Sequence, residues 1–144
     1  MFPAQVDQIT ISESAKFRSS NRLPSLTFYD RVTGTAMFRC SQPCTSFNGS
    51  RNRGDEDFVR WIGMCNNTNL NKSGFVEIYD ARPVLNARAQ KLKGGGYEAC
   101  GPGQAYENCK IVFGDIDNIH VVRDAFHKVH DMNYINTAND KSAS

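Results

Sequence analysis

Three consecutive glycines, Gly94, Gly95 and Gly96, close a stretch that opens Asp80-Ala-Arg-Pro83 and runs on to Tyr97-Glu98. This combination constrains the fold more than any other part of the chain. Proline has a fixed φ and no N–H, which suits the first turn of a helix. Glycine at the far end stops a helix and lets backbone pack closely, because it carries no Cβ. The stretch therefore predicts a modest helix beginning at Pro83, with Val84, Ala87 and Leu92 as its apolar contacts. A helix C-cap and a close-packed turn at Gly94–Gly96 end it. No Gly-Lys-Ser/Thr follows the glycines, so they do not form a Walker phosphate loop.

The flanking segments predict the other elements. Ser12 to Ser20 reads as a short helix with Ser12 as N-cap. Leu23–Tyr29 and Thr35–Cys40 read as strands joined by the turn Asp30-Arg-Val-Thr-Gly34, which makes a hairpin. Ser41 to Gly54 is loop. From Asp55 to Cys65 a helix is expected, its apolar face Phe58, Trp61, Ile62 and Cys65. Asp55, Glu56 and Asp57 suit the positive end of its dipole. Asn66 to Gly74 reads as a turn-rich connection and Phe75–Tyr79 as a strand. Lys110–Phe113, continuing towards Ile116, reads as a buried strand. Asn118 is placed to cap a last helix, Ile119 to about Met132, with Val122, Ala125, Phe126 and Val129 as its apolar face; Asn133 to Ser144 reads as a loose polar tail. Helices alternating with apolar strands argue for an α/β fold, a central sheet flanked by helices.

Composition excludes more than it proposes. The chain has 144 residues, enough for one domain or less. Its net charge of +2 gives no case for nucleic acid. Arg51, Arg53, Arg88, Lys91 and Lys93 could contact phosphate or form a solvated face. No run approaches the roughly 20 apolar residues of a membrane-spanning helix, and the N-terminus does not read as a signal peptide. Five cysteines with no Cys-x-x-Cys argue against a disulfide framework and fit a reducing, cytoplasmic setting. Cys40-x-x-x-Cys44 could open a zinc site, but no second half lies at a suitable spacing. Buried free thiols are expected instead, with no metal and no cofactor.

In open α/β sheets ligands bind beyond the carboxyl ends of the strands. That places Asp80-Ala-Arg82 and Asp115-Ile-Asp-Asn118 near one rim, each ahead of a helix N-terminus that could face an anion.

Four blocks, in order, resemble the myotubularin phosphoinositide phosphatases: Phe17-Arg-Ser-Ser-Asn-Arg-Leu-Pro24, Arg39-Cys-Ser-Gln-Pro43, Asp80 to Glu98, and Asp115-Ile-Asp-Asn-Ile-His-Val-Val-Arg123. The resemblance covers roughly Phe2 to Met132. It implies a partial tyrosine-phosphatase-like domain: a linker at 1–16, the N-terminal part of the phosphatase domain at 17–132, and a polar tail at 133–144. Members of the family remove the 3-phosphate from phosphatidylinositol 3-phosphate and phosphatidylinositol 3,5-bisphosphate. They use a cysteine thiolate on a phosphate-binding loop, with an arginine clamping the phosphate. In the family that loop, His-Cys-Ser-Asp-Gly-Trp-Asp-Arg, would follow the helix corresponding to Ile119–Met132, and a PH-GRAM domain would precede Phe2. The present sequence contains no Cys-x-x-x-x-x-Arg, so no catalytic residue is assigned.

The resemblance carries over a wall of the substrate site. Asn118 and Ile119 match the family's headgroup-contacting Asn and Ile. Gln90, four residues before the glycines, stands where the family has a second such Asn, one methylene shorter. Asn118 also has a plain capping role open to it, and Arg82 a structural salt bridge to Asp80 or Asp115. His120 reads as a packed helix residue or a partner of the nucleophile loop; His127 and His130 read as solvent-facing.

Three readings follow. The chain is the first half of an active lipid 3-phosphatase domain, a nucleophile-lacking regulatory partner in a homo- or hetero-oligomer with another myotubularin, or a non-functional fragment. The implied ligand is a phosphoinositide headgroup at an endosomal-type membrane surface, met by peripheral association. A chain of this extent is expected to expose strand edges and apolar helix faces, and so to self-associate.

Overall fold

A computed structural model describes residues 3–65 and 74–142, with side chains to residue 132. In chain order the elements are α1 (Gln8–Phe17), a short 3-10 turn (Ser19–Asn21), β1 (Ser25–Tyr29), β2 (Ala36–Arg39), α2 (Arg53–Cys65), β3 (Val76–Asp80), α3 (Val84–Lys91), β4 (Cys109–Phe113) and α4 (Ile119–Ser142). The class is mixed α/β. Among the described residues the strands form two separate pairs, an antiparallel β1–β2 hairpin and a parallel β3–β4 pair, rather than one central sheet. The hairpin closes locally, with the Asp30 N–H donating to the Thr35 carbonyl at 2.8 Å, and no other described strand reaches its edges.

The first helix begins earlier than its serines suggest. Asp7 caps it, accepting from the Thr10 N–H at 2.7 Å, so Ser12 lies inside the helix and Ser20 beyond it. α1 packs on α2 and buries Phe17 against a core that includes Phe58 and Ile62. The apolar face expected for α2 is turned slightly. Phe58, Val59 and Ile62 are buried, whereas Trp61 is only half-buried and Cys65 is exposed. Val59 faces β3 and β4 in a second cluster with Tyr106 and Cys109, joined by Val76 and Ile78.

The core also holds charge. Arg18 is 1% exposed and Asp55 fully buried. The guanidinium donates to both Asp55 oxygens, Nε to Oδ1 at 2.8 Å and Nη2 to Oδ2 at 2.7 Å. Its Nη1 donates to Glu98 Oε1 at 2.5 Å and to the Ser41 carbonyl at 2.9 Å. Ser14 and Tyr106 hydroxyls donate to the remaining lone pairs of Asp55 at 2.5 and 2.6 Å. Asp55 lies in the first turn of α2, as the dipole argument expects, but is also the buried partner of Arg18. Glu56 and Asp57 are less deeply placed and pair with the exposed Arg51 and Arg60 at 2.7 Å each, the Glu56 side chain itself largely covered.

The triple glycine behaves as its sequence requires. α3 ends at Lys91, and the Gly95 N–H returns to the Gln90 carbonyl at 2.9 Å. A Cβ on Gly96 would fall 1.9 Å from Thr45 Oγ1. Ala87 is the buried contact of α3, while Leu92 is exposed.

α4 departs from expectation at both its face and its length. Every residue from 114 to 132 is exposed, including Val122, Phe126 and Val129. The apolar spacing is present, but no described element covers it. The helix continues to Ser142, ten residues past the expected end, since nothing from Asn133 to Ser142 is a proline or glycine. β4 is likewise half-buried rather than buried, and Ile116 is exposed. The expected connection at Asn66–Gly74 lies, except for Gly74, outside the described residues.

Three outcomes test this packing. Arg18→Met should cost about 3–5 kcal/mol by urea unfolding, because it strands two carboxylates in a dry core. Arg60→Ala, which breaks only the solvent-accessible pair with Asp57, should cost under about 1 kcal/mol; equal costs would refute the contrast. Gly96→Ala should lower stability by about 1–3 kcal/mol through overpacking against Thr45, and an unchanged urea midpoint would contradict the close turn.

The Tyr106 phenol adds a pH dependence. Burial, and then the Asp55 carboxylate, push its pKa well above the ordinary value. A phenol held neutral in the folded state contributes stability that is present below its unfolded pKa of about 10 and is lost as pH rises beyond it. Stability should therefore fall between about pH 9 and pH 11 more steeply in the wild type than in Tyr106→Phe. Parallel pH profiles would show that Tyr106 is not the group responsible.

Candidate functional site

The parallel pairing of β3 and β4 brings two of the singled-out segments side by side. The Gly114 N–H donates to the Asp80 carbonyl at 2.7 Å, and the Ile116 N–H to the Ala81 carbonyl at 2.8 Å. Asp80-Ala-Arg82 and the approach to Asn118 therefore share one rim beyond the strand ends.

Arg82 is the fixed cation of that rim. Its Nε and Nη2 reach the Asp80 carboxylate at 2.9 and 2.6 Å. Its Nη1 donates to Gln42 Oε1 at 2.5 Å and its Nη2 also to the Gly96 carbonyl at 2.9 Å. Of the two carboxylates open to it by sequence, Arg82 pairs with Asp80. All three guanidinium nitrogens are engaged within the chain, so this arginine shapes the rim and is not free to clamp a phosphate. Gln42 completes the turn, its side-chain oxygen also receiving the Gly96 N–H at 3.4 Å.

Asn118 caps α4. Its Oδ1 accepts from the N–H groups of His120 at 3.0 Å and Val121 at 3.3 Å. The oxygen is thereby committed to the helix, while the amide N–H groups of this exposed residue make no hydrogen bond among the described residues. Capping and ligand contact are compatible at this side chain, one through oxygen and the other through nitrogen. Ile119 follows on the first turn, exposed. Gln90 lies on the last turn of α3, partly buried. Its carbonyl receives the Lys93 and Gly95 N–H groups, and its side-chain amide makes no hydrogen bond among the described residues.

The structure brings Asn118 and Ile119 together and leaves Gln90 on a different helix. Two clefts, of about 150 and 200 Å³, lie elsewhere, and none of the three residues lines either. His120, His127 and His130 are all exposed, so the packed reading of His120 does not hold. Among the basic residues, Arg51 pairs with Glu56, Arg53 lies 4.0 Å from Asp57, and Lys91 sits 4.2 Å over the Tyr97 ring. Of the thiols only Cys109 is buried; Cys40 and Cys65 are exposed, contrary to the expectation of buried cysteines, because they sit at element ends outside both clusters. No group of metal-ligating side chains occurs among the described residues, and no described helix is long and apolar enough to cross a membrane.

Sequence reasoning passed over Arg18, Glu98 and Tyr106. Two of them carried a signal, because Arg18 and Glu98 stand in the first and third blocks that resemble a known family. Together with Ser41 and Gln42 of the second block, they show what most of those blocks do. The first three interlock through the side chains of Arg18 and Arg82, and the fourth joins the third through the Ile116 N–H to the Ala81 carbonyl.

The comparisons agree with that reading. A family model for the myotubularin-like phosphatase domain matches residues 1–144. Myotubularin of Xenopus tropicalis is 40% identical over 134 residues, which is 93% of this chain and 21% of the relative. The phosphatidylinositol-3,5-bisphosphate 3-phosphatase MTMR2 of Bos taurus is 39% identical over 134 residues, 93% of this chain and 20% of its own length. Myotubularin of Rattus norvegicus is 39% identical over 132 residues, 92% of this chain and 21% of that protein. The chain thus spans about a fifth of the length of the curated relatives it matches. With a family model across its whole length and its motif blocks locked into one framework, the chain belongs to the myotubularin-like phosphatase family.

Proposed function

We propose that this chain supplies one wall of the headgroup site of a cysteine-based phosphoinositide 3-phosphatase domain, acting on phosphatidylinositol 3-phosphate and phosphatidylinositol 3,5-bisphosphate. The observation that carries the reading is Asn118. Its oxygen is held by the α4 backbone, which fixes the side chain and leaves its amide N–H groups directed by that anchor. It also sits at a helix N-terminus, where partial positive charge favours an anion. Ile119 offers an adjacent apolar surface, and Gln90 an uncommitted amide from α3. The substrate is a lipid, so peripheral contact with a membrane of endosomal type belongs to the same proposal.

The nucleophile and the phosphate-clamping arginine have no counterpart in the sequence, since Arg82 is engaged and no Cys-x-x-x-x-x-Arg occurs. Chemistry by this chain therefore requires a cysteine loop from elsewhere on the same polypeptide or from another one. A second reading, a catalytically inactive regulatory partner, is favoured by the uncovered apolar residues of α4, which suit association with another family member.

The chain alone should release no phosphate from phosphatidylinositol 3-phosphate vesicles; turnover above a buffer control would refute the assignment of no catalytic residue. The size of the native protein in its source cells separates the two readings, using an antibody against Gly94–Gln104. Where the species is much larger and active, Asn118→Ala should lower kcat/KM about tenfold, the worth of one hydrogen bond to a charged group. Unchanged kcat/KM would remove Asn118 from the site. A species of this length alone would favour the regulatory reading.

A further inference from the structure

Cys100 and Cys109 are the two thiols that the fold brings together, and the phosphatase reading uses neither. The segment after Glu98 turns back on itself. The Tyr106 N–H donates to the Ala99 carbonyl at 3.0 Å, and the Gly101 N–H to the Tyr106 carbonyl at 3.1 Å. This sets Cys100 beside Tyr106 in a parallel bridge, three residues before Cys109 opens β4. Both side chains meet in one cluster, Cys109 within it beside Val59 and Tyr106 and Cys100 packed against it. Cys109 also lines the cleft of about 150 Å³, whose walls include Arg51 and Arg60. A small oxidant entering that cleft comes up against a residue that is otherwise buried.

We propose that Cys100 and Cys109 are a redox pair which a hydroperoxide converts into an intramolecular disulfide. The Cys109 thiolate attacks the outer oxygen of the hydroperoxide. The O–O bond breaks, an alkoxide or hydroxide leaves and takes up a proton, and Cys109 becomes a sulfenic acid. The Cys100 thiol then attacks that sulfur. An S–S bond forms, the sulfenic oxygen leaves as water with the Cys100 proton, and the two thiols have together supplied two electrons.

The electrostatics agree with this order of events. The interaction between the two thiols holds Cys109 below the ordinary thiol range, and that interaction and burial push Cys100 above it. Burial pushes Cys40 and Cys65 the other way, up, although both are exposed residues. Reactivity follows the thiolate fraction, so the paired sulfur competes well against them. The product would clamp the loop that carries Tyr106, whose hydroxyl holds Asp55 in the charged core.

The test is a thiol map of the full chain. The protein is exposed to hydrogen peroxide, blocked with iodoacetamide without reduction and digested with trypsin. One tryptic peptide, Gly94–Lys110, holds both cysteines. The expected result is that this peptide loses both alkyl groups and the mass of two hydrogens, while Cys40 and Cys65 stay alkylated. Dithiothreitol should restore alkylation. In Cys100→Ser the Cys109 sulfenic acid should persist and be trapped by dimedone. If Cys100→Ser does not fold, the wild-type map decides alone. A Gly94–Lys110 peptide that stays doubly alkylated, or oxidation appearing first at Cys40 or Cys65, would overturn the proposal.

Discussion

A single buried guanidinium holds this domain together. Arg18 faces Asp55 and Glu98 in a space almost closed to water, and the three charges leave the trio net negative. Such a group is costly to desolvate and persists only where every lone pair is met. Here Ser14 and Tyr106 hydroxyls meet the Asp55 oxygens that Arg18 also contacts, and no buried side-chain nitrogen or oxygen among the described residues lacks a partner. The consequence is geometric. α1, α2, the exit of the hairpin at Ser41, and the segment beyond the triple glycine all keep their positions relative to one cation.

Arg82 repeats the arrangement at the rim on a smaller scale. It ties Asp80 at the end of β3 to Gln42 and to the Gly96 carbonyl, so the glycine turn and the loop after the hairpin meet beside the parallel strand pair. The closeness of that meeting explains Gly96, since a Cβ there would lie 1.9 Å from Thr45 Oγ1, far inside van der Waals contact distance. Most of the family blocks are thus framework. The residues proposed to face a headgroup sit at the edge of this framework, on the first turn of α4 and the last turn of α3, where the Asn118 oxygen caps its helix but the Asn118 and Gln90 amide N–H groups make no hydrogen bond among the described residues.

That division matters for how the chain would work. A recognition residue needs a rigid support behind it and an open side in front. Asn118 has the first in its cap hydrogen bonds and the second in its exposure. The apolar residues of α4 are a different matter. Val122, Phe126 and Val129 keep helical spacing but lie bare, so α4 draws its order from its own backbone and cap, with little from burial. The two small clefts lie at other places on the domain and owe their shape to Tyr106 and its loop.

Much of this was legible in the residues themselves. Turn chemistry placed the hairpin, since Asp30 and Gly34 bound a short connection between apolar segments. Proline and glycine bracketed α3, and a side-chain amide at Asn118 began α4, because caps and breakers act through the backbone within a few positions. Apolar spacing alone located the central part of α2 but misjudged which residues of its face meet the core. What the linear order concealed was long-range pairing. Asp55 read only as a carboxylate at the positive end of a helix dipole, and folding alone sets it against Arg18, 37 residues away, and Tyr106, 51 away. Whether β1–β2 and β3–β4 join into one sheet, and whether the α4 face finds a cover, depended equally on neighbours distant in sequence. Local backbone preferences are written in adjacent residues, but desolvation and ion pairing depend on what the completed fold brings alongside.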